Sequence, residues 1–141
     1  MSDLTHTIRP TVTPALLYRD AKAALAQLTT AFGFVRSALY ESEDGTVLHA
    51  ELVHGNGMVM IGSAGRGGPF ADAMADAGPA GVYVVVEDVD AHCERARRQG
   101  AEILAPPADQ VYGARDYLAR DLEGNLWTFG TYAPSGPEVA G

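Results

Sequence analysis

Apolar positions between Thr11 and Tyr132 fall into two periods, one of about two residues and one of about three and a half, and these alternate along the chain. The stretch 12–18 is a short apolar run interrupted by Pro14, which predicts an edge strand or an irregular strand start. Asp20 is placed to cap a helix running to about Ala31, with Ala21, Ala24, Leu25, Leu28 and Phe32 near helical spacing. Gly33 ends that helix. Three strands are predicted next, over 34–40, 46–53 and 57–61. The acidic turn Glu43-Asp44-Gly45 and the tight turn His54-Gly55-Asn56-Gly57 link them.

The same order then starts again. Residues 63–79 hold Gly65, Gly67, Gly68, Pro69, Gly78 and Pro79 and read as a flexible linker, with one helical turn around 70–74. A β-branched strand is predicted over 82–86. Asp88 caps a helix to about Arg98, Gly100 ends it, and 101–104 begins another strand. Ala105-Pro106-Pro107-Ala108 reads as a loop, and 116–120 with 126–132 as a hairpin about 121–125. The halves superpose: Leu17-Tyr18-Arg19-Asp20 lies over Val85-Val86-Glu87-Asp88, and 58–62 over 126–130. The expected fold class is α+β, one domain over 11–132 built from tandem βαβββ modules. Module one is 11–62, the linker 63–79 and module two 80–132. The ends, 1–10 and 133–141, are weakly patterned and expected to fray.

Composition narrows the function. With 141 residues, 47% of them hydrophobic, the chain supplies one core of ordinary size. A formal charge of −8 and ten scattered basic residues argue against a nucleic-acid partner. No apolar run approaches the roughly 20 residues of a membrane span, and residues 1–6 lack a basic-then-apolar leader pattern. A single cysteine, Cys93, excludes an internal disulfide and any CxxC motif. A cytoplasmic, reduced setting is the expectation.

Three stretches carry a family resemblance: Tyr18-Arg19-Asp20-Ala21-Lys22-Ala23-Ala24 with Ala31-Phe32-Gly33-Phe34; Val84 to Ala91; and Arg120-Asp121-Leu122-Glu123-Gly124-Asn125-Leu126-Trp127. In this order the chain resembles the vicinal oxygen chelate superfamily of glyoxalases, bleomycin-resistance proteins and extradiol dioxygenases. The last stretch is similar to that family's closing D-x-x-G-N hairpin. The resemblance implies two curved four-stranded mixed sheets around an open cleft, with helices on the convex side. Strand alternation then puts Val59, Ile61, Trp127 and Phe129 on the helix side. Thr13, Ala15, Leu17, Met58, Met60, Gly81, Tyr83, Val85, Leu126, Thr128 and Gly130 would face the cleft.

The resemblance also implies four metal-ligand positions, one on the first and one on the last strand of each module. They fall on Thr13, Met60, Gly81 and Thr128, which offer a divalent ion two neutral hydroxyls, a thioether and no side chain. No metal and no cofactor are therefore expected. His49 and Glu51 share a strand face and read either as a pair of ligands or as a polar pair on a solvated face. His54 belongs to a turn, His92 reads as a surface position of its helix and Cys93 as a packed one.

The predicted ligand-binding residues are Met58, Met60, Tyr83 and Thr128 on the cleft floor, with Tyr112, Arg115 and Tyr117 at its rim. Arg115 would take a ligand carboxylate and the tyrosines would stack on a planar group. No G-x-S-x-G elbow is present, and Gly65 to Gly68 lacks the Lys-Ser/Thr of a phosphate loop. The resemblance and these residues together lead to the expectation of a metal-free protein that sequesters a small aromatic or cationic compound, such as an antibiotic, in a homodimer cleft. The alternatives are a metal-dependent lyase, isomerase or dioxygenase, and a metal-free enzyme using His49 or Glu51 as acid or base.

Overall fold

The computed structural model describes residues 9–111 and 113–135. Its elements run β1 (Ala15–Tyr18), α1 (Ala21–Thr30), β2 (Val35–Glu41), β3 (Val47–His54), β4 (Gly57–Ser63), α2 (Pro69–Met74), β5 (Gly81–Val85), α3 (Val89–Arg98), β6 (Glu102–Asp109), β7 (Arg115–Arg120) and β8 (Leu126–Gly130). The two long helices start as the sequence dictates. Asp20 accepts from the amide of Ala23 at 3.1 Å, and Asp88 from the amide of Ala91 at 3.0 Å, each satisfying a first-turn N–H that has no helical partner. Gly33 and Gly100 then take φ of +83° and +86°, which a side chain would oppose.

Each module forms one four-stranded mixed sheet, in order β1-β4-β3-β2 and β5-β8-β7-β6. The first and last strands of each module are parallel neighbours, Ala15 lying opposite Met60 and Tyr83 opposite Thr128. The predicted loop over 105–108 is corrected: β6 runs through Pro106 and Pro107 to Asp109. This strand is at the sheet edge, where a missing N–H costs no ladder bond. Register irregularities between Ile103 and Ala105 and between Ala105 and Ala108 absorb the prolines.

One face of each sheet, with α1 and α3, enters a single shared core. Val59, Ile61, Trp127 and Phe129 all lie in it, as strand alternation requires. The ring of Phe32, just past α1, sits 5.1 Å from Phe129 and 6.1 Å from Trp127, and Phe34 meets Trp127 edge-on at 5.6 Å. Polar links cross between the modules as well. Glu123 accepts from the amides of Arg19 and Asp20, both at 2.7 Å, and Arg95 donates to the carbonyls of Thr30 and Thr29 at 2.9 and 3.1 Å. The opposite, outer faces of both sheets stay open and point away from this core. Tyr40 is 61% exposed there and Val85 is 42% exposed. Among the described residues no helix is long and apolar enough to cross a membrane.

Candidate functional site

A cavity of about 880 Å³ lies where the modules meet, within the size range of small-molecule sites. Module one contributes Val12, Pro14, Phe34, His54 and Met58. Module two contributes the whole run Val82 to Asp88, with Ala91, His92 and Arg95 of α3. β5 is an edge strand, so nothing in its own sheet covers its free side. Met58 and Tyr83, both predicted site residues, are thereby brought to one cavity from different modules.

Two imidazoles line it. The ring of His92 packs against Phe129 with centroids 4.3 Å apart, and its Nε2 lies 2.9 Å from the carbonyl of Phe32. A carbonyl only accepts, so Nε2 carries the proton and Nδ1 accepts from the Tyr117 hydroxyl at 2.6 Å. Burial holds His92 below the usual histidine range, and nearby His54 and Arg95 push it the same way. Burial likewise lowers His54, whose ring stands 5.3 Å from Phe34. The walls therefore present neutral rings at neutral pH. His92 is not the surface position its helix suggested, and the signal that could have placed it was its spacing from buried Val89 and Ala96 on α3.

Tyr83 lies on the outer face of module two, its hydroxyl donating to the carbonyl of Tyr132 at 2.7 Å. Its ring crosses Gly130: a Cβ there would stand 2.6 Å from the Tyr83 hydroxyl oxygen and 2.8 Å from the Cβ of Asp116. Gly130 is thus a packing glycine, and its absent side chain fixes where the Tyr83 ring sits. Thr128 is the cross-strand neighbour of Tyr83 on β8 and lies on the same face. Met60 occupies the equivalent place on β4, opposite Glu51, which holds Nε2 of His49 at 2.8 Å.

The predicted rim does not assemble as expected. Tyr112 lies outside the described residues. Tyr117 is buried, pairs in register with Phe129 on the core face, and spends its hydroxyl on His92. Burial raises its pKa, and it offers no stacking surface to a ligand. Arg115 shares that parity and turns toward α3. There its guanidinium meets Asp90 through two bonds of 3.1 and 2.9 Å and Asp109 through one of 3.1 Å. Those two carboxylates stabilise its cationic form and occupy three of its five N–H donors.

The four residues at the positions where the resemblance implies metal ligands do not make a donor set that fits a metal. Met60 and Thr128 face Ala15 and Tyr83 across their parallel pairs, and neither these nor Thr13 and Gly81 supply a nitrogen or carboxylate. Among the described residues no three His, Cys, Asp or Glu side chains come together as a metal would need.

The family described as Glyoxalase/Bleomycin resistance protein/Dioxygenase superfamily matches residues 6–129, and the chain belongs to it. The crystal structure of TioX from Micromonospora sp. ML1 is similar with a TM-score of 0.71 and 36% identity, over 91% of this chain and 100% of that one. An uncharacterized protein of Mycobacterium bovis is 28% identical over 127 residues, 87% of this chain and 84% of its own. Lactoylglutathione lyase from Agrobacterium tumefaciens shares the fold, with a TM-score of 0.61 at 19% identity over 86% of this chain and 94% of that one.

Proposed function

We infer that this protein binds and sequesters a small aromatic molecule without a metal ion, and that it does so as a homodimer. The observation carrying this reading is the roughly 880 Å³ cavity lined by Met58 of one module and Tyr83 of the other, together with His54 and His92. Such a lining suits a planar apolar ligand. Methionine moulds to irregular shapes, the tyrosine ring presents a stacking face, and the aromatic and imidazole walls need no counter-ion. We extend this site beyond the cavity lining, along the outer face of β4 to Met60 and on module two along β8 to Thr128, which share those faces.

The dimer part rests on the two open sheet faces. Each carries partly exposed apolar side chains, Tyr40 and Leu48 on module one and Tyr83 and Val85 on module two. Setting module one of one chain against module two of another would turn two open faces into two walls of a cleft. The metal-dependent alternative has no support in the donor set described above.

A thermal-shift screen with a panel of planar aromatic compounds, repeated after EDTA treatment, tests the reading. A ligand present at 100 times its Kd adds about 2.7 kcal/mol of stability. Hits that persist in EDTA and weaken in Met58→Ala and Tyr83→Ala support it. Hits that vanish in EDTA, or that ignore both substitutions, overturn it. Light scattering is expected to return twice the 14.8 kDa chain mass, and a monomer with full affinity would remove the dimer from the reading.

A further inference from the structure

We propose that Arg66 recognises a carboxylate on the aromatic ligand, which makes the preferred ligand class a planar aromatic acid. The proposal rests on the aromatic-binding reading above and adds the charged group. It also replaces the cationic class expected from the sequence, because the charge facing a ligand at its site outweighs the distant sum of the chain's charges.

The glycine-rich stretch after β4 is more than a spacer. Gly65, Gly67 and Gly68 take φ of +79°, +86° and +100°, so the backbone on either side of Arg66 turns in ways that side-chain-bearing residues oppose. This turn brings the guanidinium back onto module one. Nη2 donates to the carbonyl of Leu48 at 3.1 Å and Nε to the carbonyl of Ser63 at 3.4 Å. The head group comes to rest at the end of the outer face of β4, 3.9 Å from the point a Cβ of Gly62 would occupy. Leu17 and the Leu48 carbonyl lie 3.4 and 3.6 Å from the same point, so the guanidinium packs against a glycine flanked by both.

The partners of Arg66 leave its charge open. Arg19, Lys22, Arg115 and Arg120 each pair with a carboxylate; Arg66, like Arg9, Arg36, Arg95, Arg97 and Arg98, has none within ion-pair distance among the described residues, and of these it is the one held by carbonyls at the end of the outer face of β4. Glu51, the acidic residue of this face, is engaged by His49. Two of the five guanidinium N–H groups go to carbonyls, and three remain, two of them on Nη1. A planar carboxylate fits such remaining donors with two parallel bonds.

The track leading to Arg66 suits the rest of the molecule. Met58, Met60 and Gly62 alternate onto the outer face of β4, so Met60 stands about 7 Å from Gly62, roughly the length of two fused rings. An aromatic acid lying on Met60 and Leu17 therefore reaches Arg66 with its carboxylate while its body stays on apolar side chains. Arg115, at the rim, is the poorer candidate because two carboxylates, Asp90 and Asp109, already pair with its charge and take three of its five N–H groups.

The test uses the full chain with 2-naphthoate, 2-naphthamide and inorganic phosphate, titrated calorimetrically against wild type, Arg66→Gln and Arg66→Lys. Wild type is expected to bind naphthoate about tenfold or more tighter than the isosteric amide, the range for a hydrogen-bonded charge. That preference should shrink as salt is raised. Arg66→Gln should lose it with the amide affinity unchanged, Arg66→Lys should keep part of it, and phosphate alone should bind none of the three. Equal binding of acid and amide by wild type, or an acid preference that survives in Arg66→Gln, overturns the role of Arg66 and leaves the aromatic site standing. Failure of both naphthyl probes to bind overturns the two proposals together. Phosphate binding as tightly as naphthoate would make this a general anion site and overturn the aromatic-acid class.

Discussion

The phenol of Tyr18 in module one donates to the carboxylate of Asp121 in module two at 2.6 Å, deep in the shared core. Asp121 is 5% exposed, yet it is fully satisfied. It also accepts from Trp127 Nε1 at 3.0 Å, from Asn125 Nδ2 at 3.2 Å and from the amides of Glu123 and Asn125. The D-x-x-G-N hairpin therefore has a physical reason: a carboxylate at its head gathers the turn, the tryptophan and the other module onto one point. Burial and Asp121 together push the Tyr18 pKa far up.

Removing either partner should weaken the core unequally. Tyr18→Phe is expected to cost about 1.5–3 kcal/mol, the range for a hydrogen bond to a charged group. Asp121→Ala should cost more, about 3–5 kcal/mol, because it leaves several buried donors unmet. Urea unfolding of both single variants and the double variant would measure their coupling. Additive losses would show that the pair does not interact across the modules.

Gly130→Ala should destabilise by about 1–3 kcal/mol, the cost of overpacking. The added Cβ collides with the Tyr83 hydroxyl and with Asp116, which its own strand holds in place. Gly81→Ala, where a Cβ meets nothing within 4 Å, is the control and should change stability by no more than about 0.5 kcal/mol. Thermal unfolding of both separates a packing requirement from a general intolerance of side chains.

His92 should make stability depend on pH. Its folded pKa is lowered, first by burial, so below about 6.5 the unfolded chain binds a proton that the folded chain resists. Its contribution is thus fully present above the unfolded pKa and declines as pH falls toward the folded value. Urea midpoints measured from pH 7.5 downward should fall, and His92→Gln should flatten that slope. His54, lowered by burial too, supplies a residual slope in the variant. An identical slope in wild type and His92→Gln would contradict the assignment.

The two modules should respond differently to an introduced metal ligand. Met60 is in register with Glu51, which already holds His49, so Met60→His completes a three-donor set on one face. Thr128 has Leu118 and Tyr83 as its cross-strand neighbours, so Thr128→His adds a lone imidazole. Zinc titration should show measurable binding for the first variant and none for the second. Equal affinities would mean that the register of β4 against β3 is not as described.

Most of the architecture follows from short-range pattern. Asp20 and Asp88 as caps, Gly33 and Gly100 as stops, and Trp127 and Phe129 on the helix side are all readable because each depends on neighbours a few residues away. Strand parity is informative at the rim as well. Tyr117 is an even number of residues from Ala119, on the same core face, so its burial was encoded in the strand. What tertiary structure alone decided is which polar groups meet across long separations. Arg115 is consumed by Asp90 of α3 and Asp109 of β6, and His92 by Tyr117 and the Phe32 carbonyl. Arg66, in a glycine-rich run that composition marks only as flexible, is folded back onto β4 with no carboxylate beside it among the described residues. Periodicity determines which face a side chain occupies, because that is a local property of the backbone. Whether a charge on that face is spent or available depends on residues brought together only by packing two modules around one core.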